Sequence, residues 1–148
     1  MKRLSLSPGP AWTVTPGEKD ALHIVRRDDD GECVEALARY ATGGPLRDAY
    51  PVGAHDVEIR ISSSLAPPSG LASFLGELGG AILSADRACR RVVVAVAPDD
   101  LAVVSAAEAV GFRHVVDVEV PGEELSLFVL EPEWVTEVDA DLDRVPGT

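Results

Sequence analysis

The residues best suited to chemistry lie between positions 56 and 72. Asp56 and Glu58 occupy alternate positions of a strand pattern, and a positioned carboxylate can act as a general base. Ser62, Ser63 and Ser64 follow at the end of that strand, and Ser69–Ala72 (SGLA) lie where a loop enters an amphipathic helix. The first N–H groups of a helix have no partner within it and attract anions. If a ligand binds, we expect it where the strand passes into the helix.

Both groups also have a purely structural interpretation. The strand predicted over residues 56–65 alternates apolar and polar side chains, so Asp56 and Glu58 could lie on a solvated face beside Arg60. The serines could equally be a strand end that runs into a loop. The residues alone leave these alternatives open.

The elements that follow would position this region. Residues 71–89 have apolar side chains at helical spacing, whereas Gly76, Gly79 and Gly80 each weaken a helix by about 1 kcal/mol relative to alanine. Such glycines indicate that another element packs closely against this helix. Residues 91–97 (RVVVAVA) form an apolar run that is typical of a strand covered on both faces.

A second helix is predicted over residues 101–110. Asp100 can cap its start, and Gly111 can end it. Helical spacing places four residues inward: Leu101, Val104, Ala107 and Val110. Strands over residues 112–120 and 125–130 then form a closing hairpin around residues 121–124 (PGEE).

The N-terminal part is predicted to consist of an irregular arm over residues 1–11 and strands over residues 12–15 and 21–27. Residues 28–31 (DDDG) are interpreted as a hairpin turn, because their spacing does not follow the calcium-loop pattern. Residues 33–41 fit a strand or a short helix, and we favour the strand. Residues 42–55 read as a long loop, and residues 133–148 as an acidic tail, which leaves one domain over residues 12–132.

Composition limits the classes of partner. The chain has 148 residues, with 13 basic and 25 acidic side chains and a formal net charge of −12, so nucleic acid and anionic membranes are unfavourable partners. No signal-peptide pattern or apolar run of membrane-spanning length is visible, so we expect a cytoplasmic protein. Cys33 and Cys89 lack metal-ligand or disulfide spacing, and no metal site is expected.

The order of these elements over residues 56–130 resembles the GNAT superfamily of acyl-CoA-dependent N-acetyltransferases. The family's loop after the fourth strand reads Gln/Arg-x-x-Gly-x-Gly/Ala, and residues 67–72 (PPSGLA) keep Gly70 and Ala72. Farther on, Glu108 and Gly111-Phe112 keep the family's Glu-x-x-Gly-Phe. The resemblance implies an α/β fold with a GNAT-like mixed, mainly antiparallel sheet and helices on both faces.

The chain also departs from the family pattern. Pro67 replaces the usual Gln or Arg, Asp100 replaces an Asn, and Ala107 replaces the Tyr that often protonates the departing thiolate of coenzyme A. Two helices that usually follow the first strand have no room between residues 16 and 20. The acceptor pocket would then come from the loop over residues 42–55 or from a second subunit, and the open sheet edge makes a homodimer an expectation.

The resemblance implies a set of functional residues and two possible functions. Acetyl-CoA or another acyl-CoA would be the cofactor and an amine the acceptor, with Asp56 or Glu58 as base. The implied cofactor-binding residues are Ser62, Ser63, Ser64, Ser69, Gly70, Leu71, Ala72 and Asp100. The first function is acyl transfer to the amine, and the alternative is a binding or regulatory domain without turnover, with or without coenzyme A. An unrelated α/β fold with the same element order is the third interpretation.

Overall fold

One mixed sheet holds every strand in the described part of the chain. The computed structural model describes Leu4, Leu6 and residues 12–17, 21–27 and 33–132. The strands are β1 (Trp12–Pro16), β2 (Leu22–Arg27), β3 (Cys33–Tyr40), β4 (Val57–Ser64), β5 (Val92–Val96), β6 (Arg113–Val120) and β7 (Glu123–Leu130). Their order in the sheet is β1-β2-β3-β4-β5-β7-β6, and only β4 and β5 pair in parallel.

β4 and β5 part soon after they meet. They pair at three positions, from Val57 with Val92 to Ile59 with Val94, although β4 continues to Ser64. A β-bulge lies in the same part of β4, because Ile61 and Ser63 pair with consecutive residues of β3 and Ser62 is extra. Bulges bend a strand and increase its twist. The bulge therefore accounts for a gap between β4 and β5 inside the sheet.

The two α-helices cover one face of the sheet. Helix α1 (Pro68–Ala85) and helix α2 (Leu101–Ala109) pack on a core that includes Phe74, Leu78 and Val94. Two 3₁₀ helices, Ala41–Gly43 and Pro45–Asp48, interrupt the loop predicted over residues 42–55. Leu46 of the second one packs with Val93 and Leu127 on the other face. Helices thus lie on both faces, with 3₁₀ turns on the second.

Most predicted strands agree with the structure, including the ambiguous segment, which is β3. The predicted turn over residues 28–31 and the tail lie outside the described residues, as does the arm apart from Leu4 and Leu6; Leu4 is buried in the core. The predicted domain limits stay a prediction. Within the described part, no helix is long and apolar enough to cross a membrane.

Two helix predictions were wrong in detail. Helix α1 begins at Pro68 rather than Leu71, because proline suits the first helical position, where its missing N–H costs nothing. In α2, Leu101 is 69% exposed instead of inward, whereas Val103 and Ala106 are buried. A helix turns by about 100° per residue, so Leu101 lies about 200° from Val103 around the axis and faces away from the sheet.

Candidate functional site

A groove of about 230 Å³ lies where β4 ends and both α-helices begin. Five of the residues predicted to bind a cofactor line it: Ser62, Ser63, Ser64, Leu71 and Asp100. Five lining residues were not singled out from the sequence: Ile61, Ala66, Pro68, Ala102 and Val103. All five are apolar, and a sequence pattern does not separate such residues from the core. The tertiary structure therefore brings the end of β4 and residues about 40 positions later to one place.

The start of α1 provides free backbone donors beside this groove, which is lined by Pro68 and Leu71 but not by Ser69 or Gly70. The first hydrogen bond of the helix runs from the Leu71 N–H to the Pro67 carbonyl, at 3.0 Å, so the N–H groups of Ser69 and Gly70 have no helical partner. Pro68 has no N–H. Ala72 is half-buried against the main core and does not line the groove. The helix dipole adds a partial positive charge at the same end.

Asp100 has a structural role at the start of α2. Its Oδ1 accepts a hydrogen bond from the Val103 N–H at 3.4 Å, as expected of an N-cap. The same residue lines the groove, so the α2 side of the groove carries a carboxylate. An anion is therefore better placed at α1 than at α2.

The gap between β4 and β5 exposes backbone groups to the groove. The Val57 N–H donates to the Arg91 carbonyl at 3.1 Å, so it points toward β5. Backbone groups of alternate residues in a strand point to the same side, so the N–H groups of Ile59 and Ile61 also point toward β5. Because Ile61 lies beyond the last β4–β5 pair and lines the groove, its N–H and C=O face the gap.

Asp56 and Glu58 are buried, which corrects the expectation of a solvated strand face. Asp56 is 2% exposed, and its Oδ2 lies 3.0 Å from Arg91 Nε and 2.8 Å from Arg91 Nη2. The Gly53 N–H donates to the same oxygen at 2.8 Å. Burial of this carboxylate is possible because a guanidinium and a backbone donor compensate its charge.

The Glu58 carboxylate accepts fewer hydrogen bonds than that of Asp56. It is 1% exposed, and its Oε1 accepts a hydrogen bond from Arg39 Nε at 2.8 Å. Its Oε2 is buried and has no hydrogen-bond partner among the described residues. Gly44 covers the pair so closely that a Cβ there would lie 2.0 Å from Oε1. Glu58 thus keeps one acceptor atom free beneath the 41–55 segment.

Arg60, the other charged residue of β4, forms a bidentate ion pair. Arg60 Nη1 and Nη2 lie 2.8 and 3.1 Å from Oε1 and Oε2 of Glu123 at the start of β7. The hydrogen bonds from Arg60 lower the pKa of Glu123, which remains ionised. The residues of this pair lie on strands that β5 separates in the sheet.

A second cluster of polar groups lies where α1 ends. Asp86 Oδ2 lies 2.5 Å from the Tyr40 hydroxyl, which donates to it, and 2.8 Å from His55 Nδ1. Burial alone would raise the pKa of Asp86, but the hydrogen bonds from Tyr40, His55 and the Ala88 N–H lower it to about 2. Burial and the bond to Asp86 raise the pKa of Tyr40 to about 12. His55 therefore has a structural partner in Asp86.

A cavity of about 400 Å³ lies at the end of the sheet where β5 begins, and Arg90, Arg91 and Arg113 contribute to its lining. Arg91 donates to Tyr50 and the Pro51 carbonyl as well as to Asp56, and Arg113 pairs with Glu131. The basic residues near position 90 thus lie away from the start of α1. No group of three or more potential metal ligands occurs in the part of the chain that the structure describes.

The position of the family's tyrosine offers no catalytic group. Ala107 is fully buried in the core, whereas Glu108 is exposed. A methyl group cannot supply a proton, so an acid would have to come from elsewhere in the site or from water.

The fold is similar to solved acetyltransferase structures. No protein-family model and no curated protein matches the sequence. The aminoglycoside acetyltransferase AAC(6')-Ib in complex with coenzyme A matches with a TM-score of 0.67 and 12% identity over 81% of this chain and 71% of that chain. The same enzyme with coenzyme A and kanamycin matches with a TM-score of 0.65 and 15% identity, over 81% and 72%.

An uncharacterized protein from Bacillus halodurans matches with a TM-score of 0.68 and 14% identity, over 78% of this chain and 60% of that chain. The chain thus spans less than two thirds of that protein's length. At these identities the likeness shows the fold, which is GNAT-like. The interpretation as an unrelated α/β fold is thereby excluded.

Proposed function

We propose that this protein binds an acyl-coenzyme A, such as acetyl-coenzyme A, in the groove and transfers the acyl group to an amine. The observation that carries the proposal is the parting of β4 and β5 beside the start of α1. Unpaired strand groups line the groove, and the free N–H groups of the first turn of α1 lie between two lining residues, Pro68 and Leu71. These are the donors and acceptors that an extended amide chain ending in a pyrophosphate requires.

The pantetheine arm would lie in the gap as an added strand. Its amide groups can pair with backbone groups of β4 beyond Ile59, and the Ile61 N–H can donate to the thioester oxygen. A donor fixed at this position would stabilise the negative charge that develops on that oxygen during attack. The hydroxyl groups of Ser62–Ser64 are further polar partners along the groove.

The pyrophosphate would lie at the start of α1. The N–H groups of Ser69 and Gly70 are free there, and the helix dipole favours negative charge. Asp100 makes the opposite side of the groove unfavourable for phosphate, because two anions repel each other.

Glu58 is the better of the two predicted bases. Arg91 and the Gly53 N–H both donate to Oδ2 of Asp56, whereas Arg39 alone holds Glu58, whose buried Oε2 has no hydrogen-bond partner among the described residues. Movement of the 41–55 segment would admit the amine to Glu58, which takes a proton from it. The amine nitrogen then bonds to the thioester carbon, the C–S bond breaks, and the thiolate takes a proton from water, because Ala107 supplies none.

A binding or regulatory domain without turnover is the second candidate. Two observations favour it: both carboxylates are buried in ion pairs, and Ala107 replaces the tyrosine. In that case the groove would bind coenzyme A and no acyl group would move.

Calorimetric titration with acetyl-CoA, followed by a thiol-release assay over a panel of amines, separates the candidates. Saturable binding with amine-dependent thiol release is expected for the transferase, and binding without release would support the second candidate. Absence of binding at millimolar acetyl-CoA would contradict the transferase and leave only a domain that does not use coenzyme A.

Gly70→Glu tests the position of the groove. We expect it to abolish acetyl-CoA binding, because a carboxylate would lie where the pyrophosphate binds, while a glutamate in the first turn is favourable for the helix. Gly80→Glu is the matched control, since Gly80 lies on the same helix and has no atom within 4 Å of a Cβ position. Unchanged affinity in folded Gly70→Glu would exclude the start of α1 as the phosphate site.

A further inference from the structure

The cavity of about 400 Å³ at the start of β5 lies on the sheet face opposite α1 and α2. Arg113 of its lining pairs in the sheet with Val129, so their side chains share a face, and Val129 packs in the second core cluster. The carbonyl of Arg91 accepts from the Val57 N–H at the start of β4, whereas the groove begins at Ile61. Four residues of strand, about 13 Å, therefore separate the cavity from the groove.

The lining of this cavity is basic although the chain is acidic. Three of the 13 basic residues of the chain line it, and Glu131 is its one acidic lining residue. Arg90 and Arg91 precede β5, and Arg113 begins β6, so the fold brings together cations that are distant in sequence. Their guanidinium groups give an anion a local attraction that the net charge of −12 opposes elsewhere.

Arg91 is a fixed donor in the cavity wall. Its Nε and Nη2 lie 3.0 and 2.8 Å from Asp56 Oδ2, and Nη2 also donates to the Pro51 carbonyl at 2.9 Å. Its Nη1 donates to the Tyr50 hydroxyl at 2.7 Å. A guanidinium has two N–H groups on Nη1, so one of them has no partner among the described residues. This N–H is available to a ligand without any loss of the contacts that hold Arg91.

Tyr50 supplies a second donor beside it. The hydroxyl oxygen of Tyr50 accepts from Arg91, and a hydroxyl also has a hydrogen of its own to donate. No acceptor for that hydrogen occurs in the part of the chain that the structure describes. The bond from a guanidinium polarises the O–H group, and hydrogen bonds in such a chain strengthen one another. An oxyanion is the acceptor that these two neighbouring donors suit best.

Arg113 is paired in a way that a ligand can replace. Its Nη2 donates to Glu131, and its side chain is 70% exposed. An ion pair at this exposure contributes little to stability, because water screens it. A carboxylate or phosphate from a ligand can therefore take the position of the Glu131 carboxylate on Arg113 at little cost.

The charges around the cavity favour a ligand with two negative charges. The three arginines are opposed by Glu131 and by buried Asp56 behind Arg91. When a ligand replaces Glu131 on Arg113, two positive charges remain without a carboxylate partner. The volume is that of a small-molecule site, larger than a bare ion needs, and Val115 and Val129 add apolar contacts.

We propose that this cavity binds a small organic dianion, such as a dicarboxylate or a phosphate monoester. Its oxygens accept from Arg91, Tyr50 and Arg113, and its carbon skeleton lies against the valines. Guanidinium groups bind carboxylate and phosphate oxygens with the same fork of donors, so both chemistries satisfy the site. The proposal does not depend on acyl transfer, because the groove contributes no residue to this cavity.

Titration of the full chain with succinate and with glycerol 3-phosphate, followed by amide chemical shifts, tests the proposal. The titrations are run at about pH 7.5, where a phosphate monoester is mostly a dianion, and at constant ionic strength. Saturable binding of at least one probe is expected, with weaker binding of the monoanion acetate. The probe that binds more tightly identifies the chemistry of the natural ligand.

Three substitutions should change the affinity for the bound probe in known directions. Arg113→Gln should weaken binding by about tenfold, because a charged hydrogen bond is lost. Tyr50→Phe should weaken it several-fold, because the ring stays and the O–H donor is removed. Glu131→Gln should strengthen it several-fold, since a competing carboxylate disappears.

Two controls match these charge changes away from the cavity. Arg27→Gln removes an exposed cation at the end of β2, toward the other edge of the sheet. Glu77→Gln removes an exposed carboxylate that is also ion-paired, with Arg26 at 3.2 Å. Both controls should leave the affinity unchanged. If Arg113→Gln does not fold, Arg90→Gln replaces it, with weaker binding expected for the same reason.

Four results would overturn the assignment: no saturable binding of either dianion, equal effects of Arg113→Gln and Arg27→Gln, acetate binding as tight as that of succinate, or displacement of the probe by coenzyme A. The last result would assign the arginines to the cofactor. Unchanged probe affinity in the presence of saturating coenzyme A is expected for a separate site. Failure to bind coenzyme A contradicts the proposed function alone, because the probes are titrated without it.

Discussion

Gly44 lies directly over the buried ion pair of Arg39 and Glu58. A Cβ at this position would be 2.0 Å from Glu58 Oε1 and 2.7 Å from Arg39 Nε. Its backbone angles, φ −117° and ψ −175°, are extended and open to any residue, so the requirement for glycine is steric. The segment over residues 41–55 can close on Glu58 only because this side chain is missing.

Gly44→Ala should therefore lower the free energy of unfolding by about 1–3 kcal/mol, as overpacking of a buried site does. Gly43→Ala is the matched control, because a Cβ at Gly43 meets no atom within 4 Å. Urea denaturation of both variants measures the difference. Equal stability of the two would show that the 41–55 segment does not press on the ion pair in solution.

Asp86 connects the end of α1 to Tyr40 and His55 through hydrogen bonds. Its lowered pKa makes their contribution to stability sensitive to acid. The pKa is about 2 in the folded protein against an ordinary value of 3.8. Stabilisation by the ionised carboxylate is therefore complete above about pH 4 and is lost as the pH falls toward 2.

Asp86→Asn should destabilise the protein by about 2 kcal/mol at pH 7, because hydrogen bonds to a charged acceptor are lost. Its stability should also fall less than that of the wild type between pH 4 and pH 2, since no carboxylate is left to protonate at this position. Urea denaturation across this range measures both effects, with exposed Asp99→Asn as the control. Parallel pH profiles for the wild type and Asp86→Asn would contradict the role of Asp86.

At the scale of elements, the glycines of α1 have different functions although they are close in sequence. A Cβ at Gly79 would lie 3.0 Å from Leu130 Cδ2 and 3.3 Å from Phe112 Cζ, and one at Gly76 would lie 3.2 Å from Val110. Gly80 has no neighbour within 4 Å. The prediction of close packing is therefore confirmed for two glycines and wrong for the third, because only one side of the helix meets another element.

Gly80→Ala should stabilise the protein by about 1 kcal/mol, since alanine is the better helix former and has space there. Gly79→Ala gains the same helix propensity but must displace Phe112 and Leu130, so it should be less stable than Gly80→Ala by about 1–2 kcal/mol. Thermal and urea denaturation of the pair measure this ordering. A more stable Gly79→Ala would mean that α1 can move away from β7.

At the scale of the whole molecule, the half of the sheet formed by β1, β2 and β3 has an open face. The outward residues of these strands are exposed or half-buried. They are Thr13, Thr15, His23, Val25, Glu35 and Leu37. Within the described residues, no α-helix covers this face. The edge at β6 is a poorer contact surface, because it carries a bulge at Val115 and exposed charged residues.

The expected homodimer would therefore form through the open face and not through β6. Leu37→Glu should shift a dimer to the monomer, because it places a charge in the centre of that face, while Val115→Glu at the β6 edge should leave the assembly unchanged. Sedimentation velocity over a range of protein concentrations measures the mass. A wild-type monomer at the highest concentration would rule the homodimer out.

Much of the secondary structure was predictable, because its signals are local. Alternation identified β4, the apolar run identified β5, and Asp100 and Gly111 marked the limits of α2. The 3₁₀ turns after β3 were missed, since their few residues include Gly and Pro and show no period. The inward face of α2 was also wrong, because a nine-residue helix gives a weak apolar pattern.

For the candidate site, the sequence by itself determined its chemistry: the carboxylates at positions 56 and 58, the serines after them, and a glycine near the start of a helix. Only the tertiary structure decided their surroundings. Asp56 and Glu58 are buried because Arg91, Arg39 and Gly44, distant in sequence, reach them, and the groove exists because a bulge parts β4 from β5. Alternation shows which residues share a face of a strand, whereas the segment that covers the face is set by contacts between distant parts of the chain.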